Sequence, residues 1–323
     1  IISTDSMQIY KGMDILSAKP TAQECAAAPH HMISLLEPTE KCTAARFRDM
    51  ANPVIEDLFA CGKQPILCGG TGLYIDAITK PRSFALEGDE ALRARLMQME
   101  RSALHARLQE VDPQSAARLH ENDVRRVVRA LEVYILTGNT MTEIAQRDAA
   151  QEAPFDARLF ALDWPREILY ARIDQRVDEM VASGMIEEVR GLMQDGAMHP
   201  TALQALGYKE ILLALREEIS MEEAIARVKQ GSRNYAKRQL TWFRRDARIR
   251  WISAQRYCMS SRVVRRAAIG SATAICVEEP KRPVEQPAKR PKGVQREQAR
   301  RKYFRAAASP FSSASSVLSP VKV

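Results

Sequence analysis

Three groups of residues in this chain of 323 residues have types and spacings that chemistry uses. The first is Asp5-Ser6-x-Gln8-x-Tyr10-Lys11-Gly12, directly after the apolar pair Ile1-Ile2. A carboxylate at the carboxyl end of a buried strand stands where open α/β sheets hold their ligands, and there it can accept a proton as a general base. Asp5 or Ser6 could equally cap the following turn, and spacing alone does not choose between the two roles. The second group, Gly69-Gly70-Thr71-Gly72-Leu73-Tyr74, follows the apolar run from Pro65 to Cys68. Glycines at such a turn let backbone N–H groups and the Thr71 hydroxyl approach a phosphate or a polarised atom, although many glycine turns only shorten a connection. The pattern G-x-x-x-x-G-K-[S/T] occurs nowhere in the sequence. The third group is basic. Arg125, Arg126 and Arg129 lie in one helical pattern, and Lys229, Arg233 and Lys237 recur every fourth residue before Arg238, Arg244 and Arg245, with Trp242 and Phe243 interleaved. Stripes of this kind grip nucleic-acid phosphates, or else they are solvated helix faces.

These groups need elements to position them. Ile1-Ile2 and Pro65 to Cys68 read as parallel strands, and the stretch from Thr43 to Cys61 between them reads as a helix that is interrupted by Pro53 and stopped by Gly62. From Asp89 the leucines recur at helical spacing. Asn122-Asp123 then starts a helix that ends at Gly138, so residues 89–150 read as a helical insertion. Arg158 to Leu162 restores a strand. Pro165 starts a helix with Ile168, Leu169, Ile173, Val177, Met180 and Val181 on one apolar face. Ser220-Met-Glu-Glu223 has the form of a capping box for a helix running to about Arg245, and Arg250 to Ser253 reads as a closing strand. The expected architecture is an α/β core with a parallel sheet in two parts, 1–88 and 151–253, around the insertion. A C-terminal extension covers 254–323 and is expected to be disordered from about residue 278.

Lys and Arg number 48 against 40 Asp and Glu, a formal charge of +8. Eleven Lys/Arg and four Asp/Glu lie from Glu278 onward, so the tail carries nearly all of the excess and the remainder is close to neutral. Binding of RNA must therefore rest on the local clusters and not on total charge. No apolar run reaches the length of a membrane span, and the opening residues show no basic region followed by an apolar core. Six cysteines without a C-x-x-C pair or zinc-finger spacing to histidine read as reduced thiols in an intracellular protein.

Five blocks in fixed order, DSMQIYKGMDILSAKPT (from Asp5), GGTGLYIDAI (from Gly69), NDVRRVVRALEVYILTG (from Asn122), ALGYKEI (from Ala205) and RNYAKRQLTWFRR (from Arg233), resemble the tRNA dimethylallyltransferase family over about Ile1 to Ser253. The resemblance implies a phosphate-loop NTPase-like fold. It also implies transfer of a dimethylallyl group from dimethylallyl diphosphate to the exocyclic N6 amine of the adenosine 3′-adjacent to the tRNA anticodon. By the same resemblance Asp5 is the general base, Thr71 orients the reacting groups and Arg176 holds the diphosphate. Asp5, Ser6, Met7 and Gln8 would surround the flipped adenosine. Arg93, Arg125, Arg126, Arg129, Gln204, Gly207, Tyr208, Lys209, Lys237, Arg238, Gln239, Trp242 and Arg244 would complete the tRNA surface.

The family's pattern begins with a strand, a phosphate loop and a helix that the present chain lacks before Ile1. The expectation is therefore a fragment with little activity of its own, with Mg2+ held mainly through the missing loop and the diphosphate and no metal ligand among the residues present. The expected protein is a cytoplasmic monomer with tRNA and dimethylallyl diphosphate as partners. The Cys/His zinc finger found in many eukaryotic members is absent from the tail. A non-catalytic RNA-binding relative and an adenylate isopentenyltransferase acting on a free nucleotide are the alternatives. The insertion and the basic block at 237–245 favour tRNA, because a small nucleotide needs neither.

Overall fold

A computed structural model describes residues 1–84, 88–194 and 201–254, together with the backbone of 274–277. Ile2–Ser3 (β1) and Ile66–Cys68 (β2) are parallel neighbours, with Ile2 opposite Leu67. Ala157–Asp163 (β3) and Ile249–Ser253 (β4) form a second parallel pair, with Leu159 opposite Ile249. Between the pairs runs Ala274–Val277 (β5), antiparallel to both, and the sheet order is β1-β2-β5-β3-β4. The expectation of an all-parallel sheet is thereby corrected to a mixed one, and regular structure does not end at Ser253. The physical reason is that β2 and β3 stand one strand apart, each presenting unpaired N–H and C=O groups, and a strand of either direction satisfies them. Four residues of Ala-Ile-Cys-Val are too few to announce themselves in a periodicity window. The expected disorder from about residue 278 falls outside the described residues.

The helices that carry the site start where their caps predict. After Ala22–Ala27 (α1), Ala44–Ala60 (α2) is capped by Thr43, whose Oγ1 accepts from the Arg46 N–H at 3.1 Å. Pro53 lies within α2, where its missing N–H leaves the Asp49 carbonyl without a helical donor. Gly72–Thr79 (α3) rises directly from the glycine turn.

The insertion comprises Glu90–Met97 (α4), Arg101–Val111 (α5), Pro113–Arg118 (α6), Val124–Thr137 (α7) and Met141–Ala149 (α8). It packs on its own apolar cluster, which includes Leu96, Leu104, Leu108, Val127 and Leu131. Asp123 precedes α7 as expected but makes no cap: its carboxylate accepts from Arg126 Nη1 at 2.8 Å, a charge-assisted contact that outcompetes the backbone. Gly138 ends the helix with φ of 70°, the left-handed conformation glycine adopts freely.

Arg166–Ala182 (α9), Met185–Gln194 (α10), Tyr208–Leu215 (α11) and Met221–Phe243 (α12) return to the main core, which is built on Ile2, Ile9, Tyr10, Phe47, Ile55 and Leu67. The broad apolar face expected on α9 is corrected. The face is narrower than expected: Val177 is buried, Met180 and Val181 pack on the core partly buried, and Ile168 is exposed, while α9 meets α12 through ion pairs, Lys229 to Asp178 at 2.6 Å and Arg233 to Asp174 at 2.5 Å. Ser220 caps α12 by accepting from the Glu223 N–H at 3.1 Å, while the Glu223 carboxylate turns to Arg227, so the expected box is half made.

After α12 the chain turns at Asp246, which accepts from Arg248 Nη2 at 2.7 Å and pairs with Lys80 at 3.1 Å, tying the end of α3 to the start of β4. Hydrogen bonds from Arg248, with help from Lys80, hold the Asp246 carboxyl well below the usual carboxylate range. A depressed carboxylate stabilises the fold above its unfolded pKa and loses that contribution as pH falls through the folded one. Asp246→Asn should therefore lower stability by about 1 kcal/mol near neutral pH, after allowance for solvent screening. The deficit should shrink below about pH 4, as read from urea midpoints at both pH values.

Candidate active site and RNA-facing surface

Asp5 lies two residues beyond the end of β1, and its carboxylate is divided between two tasks. Oδ1 accepts from the Met7 N–H at 2.8 Å and the Gln8 N–H at 3.3 Å, so the capping role is real. Oδ2 accepts no hydrogen bond among the described residues. Burial pushes the Asp5 pKa up, against the opposing pull of the two amides and of Arg176. Arg176, half-buried on α9, is in turn lowered by burial while Asp5 and Glu179 favour its charge. The site thus holds a carboxylate with raised proton affinity beside a guanidinium.

The loop from Asp5 to Lys19 is fastened at several points. Gln8 accepts from Ser3 Oγ at 2.7 Å and donates to the carbonyls of Ser17 at 3.3 Å and Ala18 at 3.1 Å. Lys19 Nζ reaches Asp14 Oδ1 at 2.6 Å and Ser34 Oγ at 2.8 Å. Glu188 on α10 accepts from the N–H groups of Asp14, Ile15 and Leu16 at 2.7–2.8 Å, a carboxylate cap over three successive donors. Gly207, with φ of 96°, lets the turn before α11 approach the loop, since a Cβ there would stand 2.8 Å from Leu16 Cδ1.

The glycine turn is fitted between β1 and α12. Thr71 Oγ1 accepts from the Ser6 N–H at 3.1 Å and does not cap α3. A Cβ on Gly70 would fall 1.8 Å from Gln239 Nε2, which donates to the Gly70 carbonyl at 3.1 Å. A Cβ on Gly72 would fall 2.4 Å from the Trp242 ring. The Tyr235 hydroxyl lies near the side chains of Thr71 and Gln239, and burial together with nearby Asp5 raises its pKa. Tyr235 was not among the residues expected at the site. Its signal is the spacing Tyr235, Gln239, Trp242, which puts all three on one helical face.

The structure sorts the expected RNA contacts. Lys237, Arg238, Trp242 and Arg244 are exposed on or at the end of α12, with Arg238 over the Tyr235 ring and Arg244 over Trp251. Lys229 and Arg233, read from spacing as part of the stripe, are instead paired with the α9 carboxylates. Arg125 and Arg126 are exposed, whereas Arg129 and Arg93 both contact buried Glu132. Lys209 is exposed at the start of α11, while Tyr208 is 3% exposed and belongs to the core. Met7 packs against that core, Ser6 is half-buried, and the amide of Gln8 is engaged within its own loop. Gln204 closes the 3-10 turn Ala202–Gln204, and its side chain lies outside the described residues.

Among the described residues no three His, Cys, Asp or Glu gather as a metal site, and no helix is long and apolar enough to cross a membrane.

A family model for IPP transferases matches residues 8–246. The chain belongs to the IPP transferase family. It is 48% identical over 257 residues to the tRNA dimethylallyltransferase of Symbiobacterium thermophilum, covering 78% of this chain and 80% of that protein. To the protein of the same name from Geobacillus thermodenitrificans it is 47% identical over 256 residues, 78% of this chain and 81% of the relative. Among solved structures, the tRNA isopentenylpyrophosphate transferase of Bacillus halodurans is similar with a TM-score of 0.56 and 41% identity, over 78% of this chain and 80% of that one. A eukaryotic dimethylallyltransferase acting on tRNA is similar with a TM-score of 0.67 and 28% identity, over 83% and 71%.

In this member of the IPP transferase family the loop carrying Asp5 depends on Glu188 for three backbone partners. Glu188→Ala should cost about 2 kcal/mol or more, whereas Glu188→Gln, which keeps an acceptor oxygen, should cost less. Urea midpoints, with limited proteolysis between residues 5 and 19, check both the energy and its location.

Proposed function

We propose that this protein transfers a dimethylallyl group from dimethylallyl diphosphate to N6 of the adenosine 3′-adjacent to the anticodon of tRNA. The observation that carries the reading is Asp5: a carboxylate with raised proton affinity and one uncommitted oxygen, next to a guanidinium and beneath a helix with an exposed basic edge. In the reaction the N6 lone pair forms a bond to the allylic carbon. The carbon–oxygen bond to diphosphate breaks with its electron pair leaving on oxygen, and the N6 proton passes to Asp5 Oδ2. Arg176 stabilises the charge that gathers on the departing diphosphate. Thr71, fixed by the Ser6 N–H, sets the acceptor amine against the donor carbon.

The adenosine must leave the anticodon-loop stack to reach Asp5. Trp242 and the cations Lys237, Arg238 and Arg244 offer a stacking surface and phosphate contacts for the splayed loop. Arg125, Lys209 and the arginines of the insertion extend that surface. Gly207, Gln239, Gln8 and Tyr208 shape it from within. Among the described residues no cluster of carboxylates suited to Mg2+ stands beside Asp5, whose Oδ1 is taken by two amides. Mg2+, when bound, would supply counter-charge to the diphosphate.

Asp5→Asn should slow single-turnover transfer of a labelled dimethylallyl group to tRNA by about two orders of magnitude or more, while tRNA affinity stays within a few fold. Transfer should be measured on the 323-residue chain and on the same chain with a phosphate-loop unit joined ahead of Ile1. The wild-type rate should fall as pH drops through the raised Asp5 pKa, because the protonated carboxyl is no base. The same substitution should leave stability near neutral pH unchanged or improved: an acid whose pKa is higher folded than unfolded is destabilising when ionised. A mutant transferring at the wild-type rate would return Asp5 to capping alone.

Replacing Arg238 and Arg244 together by alanine should weaken binding of an anticodon stem-loop RNA and flatten its salt dependence by about two contacts. An unchanged slope would assign both residues to the protein's own surface.

A further inference from the structure

Glu132 is the one residue of the insertion whose carboxylate is charged by nature and yet completely buried, at 0% exposure. Burying an ionised carboxylate is costly unless cations meet it, and here two do, from different helices. Arg129, one turn away on α7, donates from Nη1 to Oε2 at 2.6 Å. Arg93 on α4 brings Nε to 2.9 Å from Oε1, an ionic contact whose N–H is not aligned for a hydrogen bond. The backbone at Gly88 closes over this pair, because a Cβ there would lie 1.8 Å from Arg93 Nη2 and 2.7 Å from Glu132 Oε1.

The arrangement leaves a net charge of +1 and a surplus of donors. Each guanidinium has five N–H groups, of which Arg129 gives one to the carboxylate and Arg93 none in hydrogen-bond alignment, and each side chain remains 37% exposed. Arg129 also lines a shallow depression of about 220 Å³ together with Arg118 and Arg126. For stability alone a well-packed apolar residue would do as well as a buried ion pair, so what the carboxylate adds is orientation.

We propose that Glu132 is a positioning residue for RNA: it locks Arg93 and Arg129 into one fixed fork whose outward N–H groups take a phosphate of the tRNA backbone. The inference rests on the tRNA reading given above.

The test exploits a difference in sign. Glu132→Gln removes a negative charge, and through-space attraction alone would then tighten RNA binding. Positioning makes the opposite demand, weaker binding by about 3- to 10-fold and a flatter salt slope, because the two guanidiniums lose their common anchor. Gly88→Ala changes no charge but crowds Arg93, and it should weaken binding in the same direction; it also decides the matter if Glu132→Gln fails to fold by circular dichroism. The readout is anisotropy of a labelled anticodon stem-loop RNA on the full chain across a salt series. Arg93→Ala and Arg129→Ala should each flatten the slope, and the double substitution should flatten it by about one contact, the single phosphate the fork takes. In the doubly substituted background Glu132→Gln should weaken binding no further. Folded Glu132→Gln and Gly88→Ala proteins that bind as tightly as wild type, or tighter, overturn the proposal. If Arg93 and Arg129 prove silent while Arg238 and Arg244 matter, the fork is wrong and the tRNA reading stands; if all four are silent, both fall.

Discussion

Everything at the site depends on how closely α12 can approach the glycine turn. Gln239 donates to the Gly70 carbonyl in a space that a single methyl group would fill, and Trp242 lies against Gly72 in the same way. That contact sets the distance between a helix with an exposed basic edge and the turn that holds Thr71. Thr71 in turn receives the Ser6 N–H and so fixes the strand end that presents Asp5. A residue with a Cβ at position 70 would push the helix outward and separate the acceptor's surface from the base that must reach it.

The second organising feature is the allocation of carboxylates. Asp174 and Asp178 take Arg233 and Lys229, Glu188 takes three backbone amides, and Glu132 takes two arginines of the insertion. Each of these anchors a helix or a loop. Lys237, Arg238, Arg244 and Arg125 have no ion-pair partner among the described residues and lie on the outside, open to solvent or a polyanion. Net charge could not reveal this division, because the body of the chain is close to neutral and a partnered cation counts the same as a free one.

Much of the frame was legible from the order of residues. Thr43, Asp89 and Ser220 start their helices, Gly138 ends one, and the strands after Ile1 and around Cys68, Phe160 and Trp251 stand where apolar runs placed them. Local signals succeed there because capping and turn chemistry act within four residues. What was not legible depends on distant partners. The antiparallel β5 is defined by the edges it bridges and not by its own four residues. The pairing of Arg233 with Asp174 spans 59 positions, and the engagement of Gln8 with Ser17 and Ala18 needs the loop already folded. Tyr208 looks like a surface aromatic in sequence but is buried, because the left-handed Gly207 turns it inward under α12. Tyr235 was hidden for the opposite reason: its block drew attention for its cations, and the aromatic between them faces the turn.

Asp5 shows why a cap and a base can be the same residue. A carboxylate that accepted amides on both oxygens, or that paired tightly with a guanidinium, would be driven to low pKa and would hold a proton poorly. Asp5 gives only Oδ1 to the amides of Met7 and Gln8, and Arg176 acts on it without reversing the effect of burial. Desolvation therefore wins, and the second oxygen keeps its proton affinity while the first keeps the group in place. The same burial lowers the proton affinity of Arg176, yet a guanidinium begins so far above neutrality that its charge survives. One environment thus tunes the carboxylate toward accepting a proton and leaves the cation intact to meet a leaving anion, which is the pairing that transfer from a diphosphate requires.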